Sequence, residues 1–211
     1  MGNFEKKTAE YLLQIKAIKL QPSNPFTWTS GWKSPIYCDN RKTLSFPEVR
    51  SYIRDSFAAI IKNLYPQTEM IAGVATGAIA HGALVSDKLG LPFIYVRSGA
   101  KEHGLGNQIE GYFEKGQKVV VIEDLISTGG SSLNAVNALR ESGCEVLGMV
   151  AIFTYEFKKA ANAFASQNCQ LNVLSNYSVL VETALKTGYI GQTEVETLKN
   201  WRLDPVNWGV K

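Results

Sequence analysis

The sequence has no long hydrophobic run. No window approaches the ~18 uninterrupted apolar residues that a membrane-spanning helix requires, which excludes a transmembrane protein. The first residues, Met1-Gly2-Asn3-Phe4-Glu5-Lys6-Lys7, are polar, include an acid and lack the apolar stretch of a secretory signal. A Met-Gly start fits myristoylation only with Ser or Thr at the sixth position, where Lys6 stands. Cysteine is scarce. Cys38, Cys144 and Cys169 are far apart, odd in number and never at C-x-x-C spacing, so neither a disulfide framework nor a zinc site is indicated. Isolated thiols of this kind suit a reducing compartment. Repeats, low-complexity tracts and long linkers are missing too. The net charge of +3 is too mild to indicate a nucleic-acid binder, but it suits a protein with an anion pocket. The expectation is a cytoplasmic, soluble protein that binds neither membrane nor nucleic acid.

What is present is enough for a sizeable core. The chain has 211 residues, 45% of them apolar, which predicts a single domain over 1–211. Tyr11, Leu12, Ile15 and Ile18 have helical spacing, predicting a helix from Phe4 to Ile18. Gln21 to Asn40, rich in Pro, Ser, Asn, Thr and Trp, reads as irregular structure with room for a hairpin. Pro47 to Leu64 is helical, with Pro47 suited to a first turn. Short apolar runs then alternate with helical stretches. Strands are predicted at Met70–Val74, Phe93–Val96, Val119–Ile122, Val146–Phe153 and Leu171–Leu174. Helices are predicted at Thr76–Leu89, about Ser131–Glu141 and Ser178–Trp201, and a polar loop over Lys101–Gly116. Strands that are apolar throughout and separated by helices predict an α/β fold whose mainly parallel sheet is covered on both faces.

One segment carries more than architecture. In Val119-Val120-Val121-Ile122-Glu123-Asp124-Leu125-Ile126-Ser127-Thr128-Gly129-Gly130-Ser131-Ser132, a buried strand runs into two adjacent acids. A hydroxyl-rich loop with two glycines follows, and then a helix starts. Ligands of open α/β sheets bind beyond the carboxyl ends of the strands. Glycines let several backbone N–H groups approach one ligand, and a helix N-terminus adds partial positive charge, so the loop is an anion cradle. No lysine follows Gly130, which excludes a P-loop, and Gly129-Gly130-Ser131-Ser132 does not complete G-x-G-x-x-G. The cradle therefore suits a single terminal phosphate, with carboxylates upstream to accept hydrogen bonds from sugar hydroxyls: a ribose 5-phosphate site.

Two further segments could serve a second anion. Gly73-Val74-Ala75-Thr76-Gly77-Ala78 reads either as a second backbone nest or as an ordinary tight strand-to-helix turn. Arg97, Lys101 and His103 lie on a Gly-containing polar stretch that reads as a lid. Arg and Lys there could neutralise a leaving anion, and His could donate a proton or hydrogen bond to it. His81, inside a predicted helix, reads as structural.

The strand–acid–acid–loop segment resembles the phosphoribosyl pyrophosphate (PRPP) motif of type I phosphoribosyltransferases. Arg97-x-x-x-Lys101-x-His103-Gly104, followed by Gly106-Asn-Gln-Ile-Glu-Gly111, looks like the catalytic loop of orotate phosphoribosyltransferases. Phe26-Thr-Trp-Thr-Ser30-Gly31-Trp-Lys-Ser34-Pro35-Ile-Tyr37-Cys-Asp39 resembles that family's substrate segment. The resemblance runs from about Asn24 to Tyr155. It implies the type I fold, with a small hood built from about residues 1–45 and the C-terminal segment. It also implies transfer of phosphoribosyl from PRPP to orotate in pyrimidine synthesis. On the same ground the catalytic residues are Lys101, His103 and Asp124. The PRPP contacts are Arg97, Lys101, His103, Glu123, Asp124, Leu125, Ile126, Ser127, Thr128, Gly129, Gly130 and Ser131. Ser127 and Tyr37, with Phe26 an alternative stacking ring, meet orotate. Mg²⁺ is implied, held mainly by PRPP, as is a homodimer with active sites shared across the interface. Some family members carry lysines where this chain has Thr29, Gly77 and Ser98, and some carry an orotate-contacting arginine with no counterpart near Thr154-Tyr155. Two rival readings use the same cradle: a non-catalytic PRPP sensor and a purine phosphoribosyltransferase.

Overall fold

The computed structural model describes residues 2–28, 30–97, 99 and 108–209. The chain opens with α1 (Gly2–Gln14), then β1 (Ile18–Leu20), β2 (Phe26–Thr27), β3 (Lys33–Ser34) and β4 (Ile36–Cys38). A 3-10 turn (Asn40–Ser45) leads into α2 (Pro47–Leu64), with Pro47 in its first turn. Then follow β5 (Met70–Val74), α3 (Ile79–Leu89), β6 (Phe93–Val96), β7 (Ile109–Glu110), β8 (Lys118–Ile126), α4 (Gly130–Glu141) and β9 (Glu145–Thr154). The chain closes with α5 (Lys158–Ser166), β10 (Leu171–Asn176), α6 (Tyr177–Lys186) and α7 (Gln192–Leu203).

Six strands form the central sheet in the order β10-β9-β8-β5-β6-β7. All neighbours are parallel except β6 and β7, which pair antiparallel through Tyr95–Glu110 and Val96–Ile109. β8 lies in the middle, and Val119 to Ile122 are fully buried. Each such side chain contributes about 1.5–3 kcal/mol on leaving water. Successive strand residues point to opposite faces. Val120 and Ile122 accordingly join the cluster that contains Phe57 and Ile61 of α2, Val85 of α3 and Leu180 of α6. Val119 and Val121 join Leu133 and Val136 of α4 and Phe164 of α5. The continuous apolar pattern follows from a strand covered on both sides.

The structure departs from the sequence reading in several places. α1 stops at Gln14 rather than Ile18, because Lys16 takes a left-handed φ of 55° and Ile18–Leu20 pairs antiparallel with Ile36–Cys38. The residues predicted as the polar loop contain β7, which closes the sheet edge. β8 runs on through the acids to Ile126, so Glu123 and Asp124 lie inside the strand. α3 begins at Ile79, not Thr76. α5 had no counterpart in the sequence reading. Its buried side is Ala160 and Phe164, four residues apart on a helix of nine residues. The tail is two helices. Gly188, at φ 70°, ends the first, and Gly191 caps the second with Glu194 bonding back to its N–H at 2.8 Å.

Candidate active site

The alternation along β8 continues into its acids and separates them. Glu123 follows Val119 and Val121 toward α4, where Ser132 Oγ donates to its Oε2 at 2.8 Å. Its other oxygen accepts from the Asp124 backbone N–H at 2.9 Å. Burial, and then the neighbouring Asp124 carboxylate, push the Glu123 carboxyl up from an ordinary 4.5 to about 8, against the pull of these two hydrogen bonds. Asp124 follows Val120 and Ile122 toward the α3 side. Burial raises its carboxyl too, opposed by hydrogen bonding with Glu123 and by the charge of Arg41. Arg41 is itself paired with Asp39 at 2.7 Å.

Past Ile126 the cradle takes shape. Ser127 and Thr128 lead to Gly129, whose φ of 84° only glycine adopts without strain, and α4 starts directly after it. A side chain at Gly129 would also meet the Phe164 ring of α5 at 3.0 Å. The first N–H groups of α4 have no intrahelical acceptor and point out of its N-terminus, beside Ser131. Across from them, the turn after β5 is tight. A Cβ at Gly73 would stand 2.9 Å from the Ala78 carbonyl oxygen, and one at Gly77 would stand 2.5 Å from both oxygens of Asp124. Gly77 thus leaves space that the Asp124 carboxylate fills. The Ala75–Thr76 peptide in this turn is cis.

A cavity of about 530 Å³ adjoins the cradle. Leu125, Ser127 and Thr128 form one wall, Tyr37 and Cys38 of β4 another, and Trp28, Trp32 and Tyr155 an aromatic one. That size and lining suit a small planar ligand. Trp28 is held by its ring N–H donating to the Ile36 carbonyl at 3.1 Å and by packing on Tyr155 and on Trp201 of α7, at 5.3 and 5.6 Å between centroids. Trp201 is fully buried and its indole N–H donates to the Lys33 carbonyl at 3.2 Å, so the C-terminal helix supports the N-terminal strands. Phe26 packs on the Tyr37 ring at 5.5 Å.

The structure therefore brings Leu125, Ser127, Thr128 and Tyr37 around one space, with Asp124 against the turn at Gly77, Glu123 behind the strand, Ile126 buried beneath, and Gly129, Gly130 and Ser131 at the helix start. Arg97 is not in that group. Its backbone exchanges hydrogen bonds with Gln108, and its guanidinium is turned to Glu110 at 3.6 Å. Lys101 and His103, like Thr29 and Ser98, lie outside the described residues. His81 is buried, which lowers its imidazole to about 4, and its Nε2 is 3.2 Å from Thr43 Oγ1. The sequence reading missed Trp28, Trp32 and Tyr155 as cavity walls, and it missed Asn40, whose amide N–H donates to the Asp124 carbonyl at 2.6 Å. The two tryptophans bracketing Ser30-Gly31 were the available signal. Nothing local marks Asn40.

A sheet of this order, with an acid-tipped central strand running into a glycine turn and a helix, defines a class. Residues 45–187 match the family described as the phosphoribosyl transferase domain. The chain is also 59% identical over 208 residues to an orotate phosphoribosyltransferase of Phocaeicola vulgatus, covering 99% of this chain and 98% of that one. A solved orotate phosphoribosyltransferase of Aeropyrum pernix superposes with a TM-score of 0.75 at 27% identity, covering 87% of this chain and 99% of the other. The fold extends to other bases, since an adenine phosphoribosyltransferase of Leishmania tarentolae gives a TM-score of 0.63 at 24% identity over 83% of this chain and 90% of its own. This chain belongs to the phosphoribosyltransferases and, within them, to the orotate phosphoribosyltransferase family.

Proposed function

We propose that this chain transfers the phosphoribosyl group of PRPP to orotate, giving orotidine 5′-monophosphate and pyrophosphate, in the pathway to UMP. The observation that carries this is the aromatic cavity opening directly onto the phosphate cradle at Ser127 and Thr128. A base seated there meets a ribose whose 5-phosphate lies on the α4 N-terminus. Near-identity in length and 59% identity to a relative named for this reaction select orotate over other bases.

The reaction proceeds by loose displacement at the anomeric carbon, with positive charge growing on the ribose ring. The protein acts by positioning and by electrostatics. Asp124 holds the ribose hydroxyls, Glu123 braces it from behind by accepting from the Asp124 N–H, and Thr128 to Ser131 hold the 5-phosphate. Ser127 and Tyr37 hold the pyrimidine, and Arg97, Lys101 and His103 receive the pyrophosphate. Orotate brings its own ionisable ring nitrogen, so no strong base is needed. The Asp124 carboxylate beside a phosphate site would suit a hard cation that takes its other ligands from phosphate and water. Mg²⁺, if bound there with PRPP, would supply charge neutralisation for the leaving group. The N-terminal strands and the C-terminal helix serve together as a hood over the base. The working form is a cytoplasmic homodimer in which the Arg97–His103 segment completes the partner subunit's site.

The test is loss of orotate absorbance on mixing protein, PRPP, Mg²⁺ and orotate. Turnover with hypoxanthine or adenine but not orotate would replace this reading by a purine enzyme, and tight PRPP binding with no turnover by a sensor. Lys101→Ala should lower turnover at saturation by well over tenfold. A change within about twofold, below ~0.5 kcal/mol, would remove Lys101 from the chemistry.

A further inference from the structure

Asn40 is nearly inaccessible to solvent, and its amide nitrogen, amide oxygen and backbone carbonyl are each engaged. Its Nδ2 donates to the Asp124 backbone carbonyl at 2.6 Å. Its Oδ1 accepts from the Cys38 thiol at 3.3 Å, a contact that sets which way the carboxamide faces. Its own carbonyl accepts from Thr43 Oγ1 at 2.6 Å, and that hydroxyl rests against the buried His81 ring. Burial pushes the Cys38 thiol up, so it stays protonated and able to donate.

The location gives this arrangement meaning. β5 remains paired with β8 only as far as Ile122. Two residues further on, the donor to the Asp124 carbonyl is a side chain from a segment 84 residues away in sequence. Cys38, at the other end of the carboxamide, lines the base-side cavity together with Tyr37 and Ser127. The Asp124 carboxylate meanwhile has little room to adjust, because Gly77 leaves no space for even one more carbon beside it. A hydrogen bond on the peptide of a residue so confined sets the direction of its side chain.

We propose that Asn40 is a positioning residue for the transfer reaction: through Cys38, Asn40 and the Asp124 peptide it holds the ribose carboxylate in register with the base-side cavity. The inference rests on the phosphoribosyl-transfer reading above. It predicts that Asn40 acts through Asp124 and not merely through stability.

The experiment is a double-mutant cycle over four proteins: the parent, Asn40→Ala, Asp124→Asn and the pair. Each is assayed for kcat, for KM with orotate and with PRPP, and for PRPP affinity by thermal shift. Asn40→Ala should lower kcat about tenfold, equivalent to about 1.4 kcal/mol, with KM for orotate within about twofold. In the Asp124→Asn background the same change should cost less than about twofold. A kcat that is unaffected, or that falls equally in both backgrounds, would overturn the proposal and leave Asn40 a stabilising residue only. If Asn40→Ala does not fold, Cys38→Ala keeps the carboxamide but frees its oxygen. It should lower kcat severalfold in the parent and not in Asp124→Asn; an equal fall in both refutes the relay. Failure of the parent to use orotate would strike the functional reading instead, and the relay would then be read from PRPP affinity alone across the same cycle.

Discussion

Replacing Glu123 with glutamine should stabilise the ligand-free protein, and do so increasingly as pH rises. The carboxyl is buried and titrates near 8 in the fold against 4.5 ordinarily. Between those values the folded protein keeps a proton that the unfolded chain has released. The unfolded state then binds fewer protons, so stability falls as pH climbs from about 4.5 to 8 and levels off above. At 1.36 kcal/mol per pH unit, that gap sets a ceiling of about 5 kcal/mol on the penalty at pH 8.5. Glutamine is close in shape to the protonated acid. Its carbonyl can accept from the Asp124 N–H, and its amide can donate to Ser132, whose hydroxyl turns to accept. At pH 5 the variant should therefore lie within about 1 kcal/mol of the parent. At pH 8.5 it should be more stable by a few kcal/mol, on the order of 10 °C in Tm for a chain of this size. Asp124, also raised by burial, leaves a residual slope in both proteins. Denaturant melts at four pH values from 5 to 8.5 decide the matter. A stability difference that stays constant with pH, or that turns against the variant at high pH, refutes the reasoning.

The glycine contacts give two sharper contrasts. Gly77→Ala places a methyl 2.5 Å from both Asp124 oxygens, so kcat/KM for PRPP should fall on the order of a hundredfold or more as the carboxylate is displaced; steady-state kinetics within threefold of the parent would show that Asp124 has freedom to move. Gly148→Ala on β9 forces a methyl against the buried Tyr65 ring, 2.7 Å from its Cζ, and disturbs the hydroxyl that accepts from Asn172. Overpacking of this sort costs about 1–3 kcal/mol, which thermal melts should register while kcat of the folded protein stays within about twofold.

The alternation of fully apolar strands with helices made the parallel sheet legible, and Pro47–Leu64, Met70–Val74 and Phe93–Val96 have the bounds their patterns predict. These are segments where local periodicity and burial agree, so no distant contact is needed to place them. α5 spans only nine residues, with Ala160 and Phe164 buried, and the tail breaks into two helices at Gly188 and Gly191, where a left-handed φ ends one and a cap starts the other. The glycine turn and the helix start after it were legible for a physical reason: they are built from contiguous backbone, and contiguous backbone is what a sequence displays.

By itself the sequence pointed to a class of ligand, through the pattern of Glu123 to Ser131, and to the family that its motifs resemble. Only the tertiary structure decided that Glu123 and Asp124, neighbours in the chain, face opposite sides of the sheet. It alone decided that Gly77 is shaped by the Asp124 carboxylate, that Trp28, Trp32 and Tyr155 wall the cavity, and that Asn40 holds the Asp124 peptide. The reason is distance along the chain. Each of these facts joins residues from different elements, and their meeting depends on how the sheet twists and its layers pack, which no local pattern records.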